Sequence, residues 1–210
     1  KPFDPRLIVK IAPAVARAAM ESGVATRPIV DFDAYIRDLT NFVYHSGTIM
    51  RPVFAAARDS GRRVLYAEGE DERVLRAARV VLDERLARPI LIGRPAVIEM
   101  RIRKAGLNLE PERDFDVVNP ESDPRYREIW SEYYRIMARR GVTPTIAQAE
   151  IRRNPTLIGA MLLRRGEADA LITGPSGQYT EQLKPIADVI GLSSNARLFA
   201  SLSVLMLPRR

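Results

Sequence analysis

The run of residues 63–78 constrains this chain most, because its hydrophobic period changes from that of a strand to that of a helix within a few residues. Val64, Leu65, Tyr66 and Ala67 form a short apolar block of the kind that makes a buried strand. Glu68, Gly69 and Glu70 follow, and Gly69 lets the backbone turn sharply. Val74, Leu75, Ala78, Val81 and Leu82 then recur at helical spacing, which turns Arg73, Arg76, Arg79, Asp83 and Glu84 outward. Asp71 and Glu72 fall in the first helical turn, where Asp71 or Glu70 can accept a hydrogen bond from the unpaired amides. A second apolar block at 88–93, Arg-Pro-Ile-Leu-Ile-Gly, completes a strand-helix-strand unit. Such a unit predicts an α/β fold, a mostly parallel sheet with flanking helices.

The pattern continues downstream. Residues 94–104 read as a helix opened by Pro95 and closed by Gly106, and 115–119 as a third strand stopped by Pro120. Asp123-Pro124 opens a helix whose Tyr126, Trp130, Tyr133, Tyr134 and Met137 share one face. Aromatics set among Arg125, Arg127, Arg135, Arg139 and Arg140 suit a base-stacking surface, although core packing is the commoner use of such a stripe. Thr143-Pro144 and Asn154-Pro155 each read as a cap followed by a first-turn proline. A fourth buried strand spans 168–173. The loop Gly174-Pro175-Ser176-Gly177 leaves its carboxyl end, which is where ligands bind in parallel α/β sheets. A helix over 178–190 carries Lys184 on its first turns, and 196–207 reads as a final long apolar strand.

Ahead of the sheet pattern lie helices alone. A proline-rich lead-in precedes a helix with Leu7, Ile8, Ile11 and Val15 on one face, kinked or restarted at Pro13 and ended by Gly23. Asp31 caps an amphipathic helix through Phe32, Tyr35, Ile36, Leu39, Phe42 and Val43. Another follows Ser46-Gly47, with Pro52 near its first turn and Ser60-Gly61 at its end. The first helix has no strand beside it, so its apolar face calls for a covering neighbour. The last strand, followed at once by Pro208-Arg209-Arg210, would leave an open sheet edge, and a piece of a longer protein is expected.

Composition narrows the chemistry. With 46% hydrophobic residues in 210, the chain can bury a real core. There is no cysteine, which excludes disulfides and thiolate chemistry, and His45 is the only histidine, which excludes a multi-histidine metal site. His45 reads as a helix side chain near a kink. The longest apolar stretches, 158–163 and 202–207, fall well short of the roughly 20 residues that cross a bilayer, and no signal-peptide pattern opens the chain. No membrane partner and a cytoplasmic location are expected. The charge of +7, from 33 Lys and Arg against 26 Asp and Glu, asks for an anionic partner. A nucleic acid, a phosphorylated small molecule or an acidic neighbouring domain would each answer it. The basic residues are scattered among acids as on ordinary solvated helix faces, and no nucleic-acid-binding motif is present, so no nucleic acid is expected.

Three segments carry a family resemblance: Glu68-Gly-Glu-Asp-Glu-Arg-Val-Leu-Arg-Ala-Ala78, Asn154-Pro-Thr-Leu-Ile-Gly-Ala-Met161 and Gly166-Glu-Ala-Asp-Ala-Leu-Ile-Thr-Gly174. They resemble the phosphate acetyl/butyryltransferase, or phosphotransacetylase, family. More closely, the whole chain resembles the carboxyl-terminal part of large bacterial NADP-dependent malic enzymes, in which a malic enzyme is fused to a phosphotransacetylase-like domain. The opening Lys-Pro-Phe-Asp-Pro-Arg-Leu-Ile, Ala-Met-Glu-Ser-Gly-Val-Ala at 19–25 and Tyr134-Arg-Ile-Met-Ala-Arg-Arg-Gly141 carry that closer likeness.

The resemblance implies two subdomains with a coenzyme A cleft between them, truncated at the carboxyl end. It places the end of the malic enzyme region at 1–27, a first subdomain at 28–141 and the start of a second at 142–210. It implies an acetyl-CoA cleft bordered by Gly174, Pro175, Ser176, Gln178, Tyr179 and Lys184. Where active family members carry a pair of threonines and an arginine before proline, this chain has Gln178, Tyr179 and Lys184 before Pro185. Lysine keeps the charge but not the bidentate fork that suits phosphate. The family's further catalytic serine, arginine and aspartate fall beyond the matched stretch, so no catalytic residue is assigned. The implied function is a regulatory, oligomerising domain that binds acetyl-CoA as an effector of malate decarboxylation. In that reading NADP and a divalent metal, Mg or Mn, sit in the malic enzyme catalytic domain, the chain's partner. A catalytic phosphate acetyltransferase, moving acetyl between CoA and phosphate, is the alternative.

Overall fold

The computed structural model describes residues 6–43, 47–58, 60–202 and 205. His45 lies outside them. The chain divides into two compact units, 1–56 with 201–210, and 57–200.

In the first unit α1 (Arg6–Glu21) packs on α2 (Phe32–Val43), and α3 (Gly47–Ala57) follows. Asp31 caps α2 as expected, its Oδ1 accepting from the Ala34 N–H at 2.8 Å. α1 continues through Pro13 and does not restart there, and Pro52, expected near the first turn of α3, is its sixth residue. A proline removes one backbone donor and crowds one turn, which a helix packed on its neighbour survives. Leu7, Ile8, Ile11 and Val15 leave an apolar face of α1 exposed, along a groove that Tyr35 also lines.

The second unit carries the sheet. β1 (Arg63–Tyr66), β2 (Arg88–Ile92), β3 (Asp116–Val118) and β4 (Ala170–Ile172) are all parallel, in the order β3-β2-β1-β4. Between them lie α4 (Glu72–Asp83), α5 (Pro95–Ala105), α6 (Tyr126–Met137) with a 3-10 turn at Ala138–Arg140, α7 (Pro144–Arg153) and α8 (Pro155–Arg164), and α9 (Tyr179–Val189) follows β4. The period of two along each strand divides the core. Tyr66, Leu91 and the partly buried Val64 and Val117 face Val74, Leu75 and Ala78 of α4 and Ile98 and Ile102 of α5. Leu65, Ile90, Ile92 and Val118 face the helices from α6 to α9. The aromatic stripe of α6 belongs to this second layer: Tyr133 is 5% exposed, and Trp130 and Tyr134 pack against the same cluster. β4, from the stretch expected to open a second subdomain, hydrogen-bonds to β1 within the one sheet.

Ion pairs fix the amino ends of the strands. The Arg63 N–H donates to Asp169 Oδ2 at 2.7 Å, and Arg88 grips both Asp116 oxygens at 2.8 and 2.6 Å. Behind the sheet Arg165 gathers Glu128, Glu132 and Glu167. Many of the arginines behind the positive charge are thus already paired.

Gly69 lies in the turn after β1 as expected, and close approach is what requires a glycine there: a Cβ would lie 2.8 Å from the Ile92 carbonyl oxygen. One further expectation is corrected. Residues 196–202 form no strand, and Leu198, Phe199 and Leu202 stay exposed. Hydrophobic side chains alone do not make a strand. Its backbone needs a neighbouring ladder, and none of the described residues supplies one.

Asp71 caps α4, its side chain accepting from the Arg73 N–H at 2.8 Å while the Arg73 guanidinium returns to the same carboxylate. Those bonds hold its pKa down at about 2. Asp71→Ala is expected to cost about 1 kcal/mol at neutral pH. Because the folded pKa is depressed, the charged form's contribution is full above about pH 4 and is lost as pH falls through about 2. Urea midpoints of the two proteins should therefore converge on acidification. A gap unchanged down to pH 2 would contradict this.

Candidate functional site

The strand order sends the chain outward from β1 to β2 and β3, then back to β4 on the other side of β1. The carboxyl ends of β1 and β4 are therefore a switch point, where connections leave in opposite directions and open a crevice that ligands use in this class of fold. Glu68 stands just beyond β1, and Thr173 and Gly174 follow β4 directly. A cleft of about 610 Å³ opens there, lined by Glu68, Thr156, Gln182, Ser176, Glu150 and Arg153 among others.

Four elements meet in its floor. Asn154 caps α8 by accepting from the Leu157 N–H at 3.1 Å, and Pro155 starts the helix. This sets Thr156 inward, 2% exposed. Thr156 Oγ1 lies 2.7 Å from Thr173 Oγ1 and donates to Gln182 Oε1. The Thr173 hydroxyl lies 3.0 Å from Gln182 Oε1 and 3.2 Å from Glu68 Oε1. The Gly174 N–H donates to that same Glu68 oxygen at 3.2 Å, and Gln182 Nε2 donates to the Ser176 carbonyl at 3.2 Å. Glu68 Oε2 is buried and has no hydrogen-bond partner among the described residues.

The walls are carboxylate-rich. Glu150 accepts from the Tyr133 hydroxyl at 2.5 Å, and burial together with this bond pushes the Tyr133 pKa up. Glu181 stands on α9, and Arg153 lies at the exposed rim with no ion-pair partner among the described residues. Beside the cleft, Glu70 clamps Arg94 through its N–H, Nε and Nη2, each at 2.9 Å, which holds the Glu70 pKa down. The turn after β1 is thereby tied to the start of α5.

Of the six residues expected at a cleft, Gly174 bonds to Glu68, Pro175 lies beside it, and Ser176 lines the cavity and holds Gln182 through its carbonyl. Gln178 precedes α9, and its carbonyl accepts from the Glu181 and Gln182 N–H groups. Tyr179 is 63% exposed and Lys184 is exposed on α9; neither they nor the Gln178 side chain is part of the lining. Sequence reasoning assigned none of Thr156, Thr173, Gln182 and Glu68 to the site, although Glu68, Thr156 and Thr173 lie in the three segments that carry the family resemblance. The available signal was position: Glu68 and Thr173 follow the carboxyl ends of β1 and β4, although β4, expected as a buried strand over 168–173, is a short edge strand with Ile172 half exposed.

Comparison with known proteins bears on this geometry. The family described as phosphate acetyl/butaryl transferase matches residues 48–210. The chain is 56% identical over 209 residues to an NAD-dependent malic enzyme of Rhizobium meliloti (strain 1021), with 99% of this chain and 27% of that protein covered. It is 55% identical over 208 residues to the NADP-dependent malic enzyme of Escherichia coli (strain K12), with the same coverage. The chain thus spans about a quarter of the length of these relatives. Among solved structures, the EutD phosphotransacetylase from Staphylococcus aureus shares the fold, with a TM-score of 0.64 at 21% identity, over 72% of this chain and 44% of that one. With the family match covering residues 48–210, more than half of the chain, the chain belongs to the phosphate acetyl/butaryl transferase family.

Proposed function

We propose that this chain is the regulatory, acetyl-CoA-binding and oligomerising domain of an NADP-dependent malic enzyme, and that it performs no acyl transfer itself. The observation that carries the reading is the extent of the likeness to malic enzymes. It covers 99% of the chain and includes the helices before residue 48, where the transferase match begins. NADP and a divalent metal belong, in this reading, to the part of the relatives outside the matched stretch. The chain's own contribution is to bind acetyl-CoA more tightly in one global state of the enzyme than in the other. A coupling of about 1–3 kcal/mol, roughly 5–150-fold in affinity, is enough for such control.

Support for the absence of transfer comes from Gln178, Tyr179 and Lys184, which stand where the resemblance calls for threonines and an arginine. The lining offers Arg153 as its only basic side chain among the described residues. Oligomerisation is assigned to the exposed apolar face of α1 meeting a second copy of this chain. The paired substitution Ile11→Asp and Val15→Asp is expected to lower the mass measured by light scattering, and an unchanged mass would remove that assignment.

Family membership favours the second reading, a phosphate acetyltransferase. Two assays separate the two. Acetyl-CoA titrated into the longer malic enzyme should bind and lower malate turnover, and the chain supplied with acetyl-CoA and phosphate should form no acetyl phosphate. Turnover insensitive to acetyl-CoA would overturn the regulatory reading, and steady acetyl phosphate formation would establish the other.

A further inference from the structure

The floor of the cleft is short of hydrogen-bond donors. Thr156 Oγ1, Thr173 Oγ1, Gln182 Oε1 and Glu68 Oε1 sit in four mutual contacts of hydrogen-bond length. The two hydroxyl protons are all that these contacts can share. Gln182 spends one of its two amide protons on the Ser176 carbonyl, and it meets this cluster through its oxygen, with no hydrogen bond from its nitrogen to any of the four oxygens. The Gly174 N–H reaches only Glu68 Oε1, and Glu68 Oε2 is buried with nothing donating to it. Leaving a buried acceptor bare is unfavourable, and more so when it is charged. This corner therefore gains from an incoming N–H or O–H. Charge points the same way. Glu150 and Glu181 share the lining with Glu68, so an anionic group brings repulsion and no donor. Arg153, at the rim, is where an anion is better received.

An acyl-CoA has two chemically different ends. Its thioester arm is uncharged and carries amide N–H groups, while its nucleotide end carries the phosphates. We propose that the Glu68 corner takes the amide-bearing arm, with Glu68 Oε2 accepting an arm N–H, and that the phosphates stay outside the floor on the Arg153 side. This rests on the acetyl-CoA reading above and adds to it the orientation of the ligand and the residue that selects for the arm. Thr156, Thr173 and Gln182 are positioning residues here: they connect the starts of α8 and α9 to the end of β4 and hold Glu68 Oε1, which leaves Oε2 for the ligand.

Calorimetry on the 210-residue chain tests it with four probes: acetyl-CoA, S-acetylpantetheine as the arm alone, adenosine 3′,5′-bisphosphate as the phosphate end alone, and an arm analogue with ester oxygens in place of its amide N–H groups. The expected result is that S-acetylpantetheine competes with acetyl-CoA and that the ester analogue binds at least tenfold more weakly than the amide arm. Glu68→Gln should weaken the arm by at least tenfold while leaving adenosine bisphosphate unaffected. Should Glu68→Gln fail to fold, as read by circular dichroism, the ester analogue on the unaltered chain decides. Acetyl-CoA binding with an ester analogue as tight as the amide arm, or with a folded Glu68→Gln protein of unchanged affinity, overturns the Glu68 assignment and leaves the acetyl-CoA reading standing. No binding of acetyl-CoA overturns both.

Discussion

Phe115→Ala is expected to lower the stability of the sheet unit by about 3–5 kcal/mol. Phe115 is fully buried immediately before β3 and packs with Tyr66, Leu75, Leu91, Ile98 and Ile102. Those neighbours sit on two strands and two helices, so none can slide into the space without moving its own element, and the cavity stays open. Domains of this size have only about 5–15 kcal/mol to lose, so the urea midpoint should fall steeply. A loss below about 1 kcal/mol would mean that the ring does not occupy this core.

Gly69→Ala is expected to cost about 3 kcal/mol or more, for a different reason. Its new Cβ would meet the Ile92 carbonyl oxygen at 2.8 Å, Leu91 Cβ at 2.9 Å and the Ile92 nitrogen at 3.0 Å. All three atoms belong to β2 at or next to its backbone, and Gly69 itself donates to the Ile92 carbonyl at 3.0 Å. No rotamer change relieves such a clash, so β1 and β2 must part beside Glu68. The cleft should lose its ligand together with the lost stability. Gly159→Ala gives the contrast. Its Cβ would lie 2.5 Å from Leu171 Cδ1, the tip of a side chain that can turn away, and a cost under about 2 kcal/mol is expected. Thermal melts of the two variants should rank them in that order, and the reverse order would contradict the packing described for Gly69.

Much of the architecture was legible because it rests on local rules. Short apolar blocks marked the four strands, and Thr143, Asn154 and Asp71, the last read with Glu70 as an alternative, announced three helix starts that their side chains do cap. Gly106 closes α5 in the left-handed conformation, as its position implied. What failed depends on neighbours that the local pattern does not name. Residues 196–202 have the composition of a strand and no partner among the described residues. Gly69 lies in the turn where it was expected, but the need for a glycine there comes from β2, which lies beyond an intervening helix.

The site was legible in place more than in membership. The loop after β4 was identified from the rule that ligands gather at strand ends, and Gly174 and Ser176 do meet Glu68 and Gln182 there. Thr156, Thr173, Glu68 and Gln182 come from four separate elements, and only the folded sheet brings their oxygens together. Helical spacing alone does not say which side of α9 looks into the crevice. Gln182 turns in, while Tyr179 and Lys184 are exposed.

Amide hydrogen exchange of this chain with and without acetyl-CoA tests the central claim most directly, namely that the switch point of β1 and β4 is the ligand site. The account predicts slower exchange at residues 67–70, 154–158 and 173–182, with 94–110 unchanged. Slowing confined to 6–43, or no slowing anywhere at saturating acetyl-CoA, would contradict it.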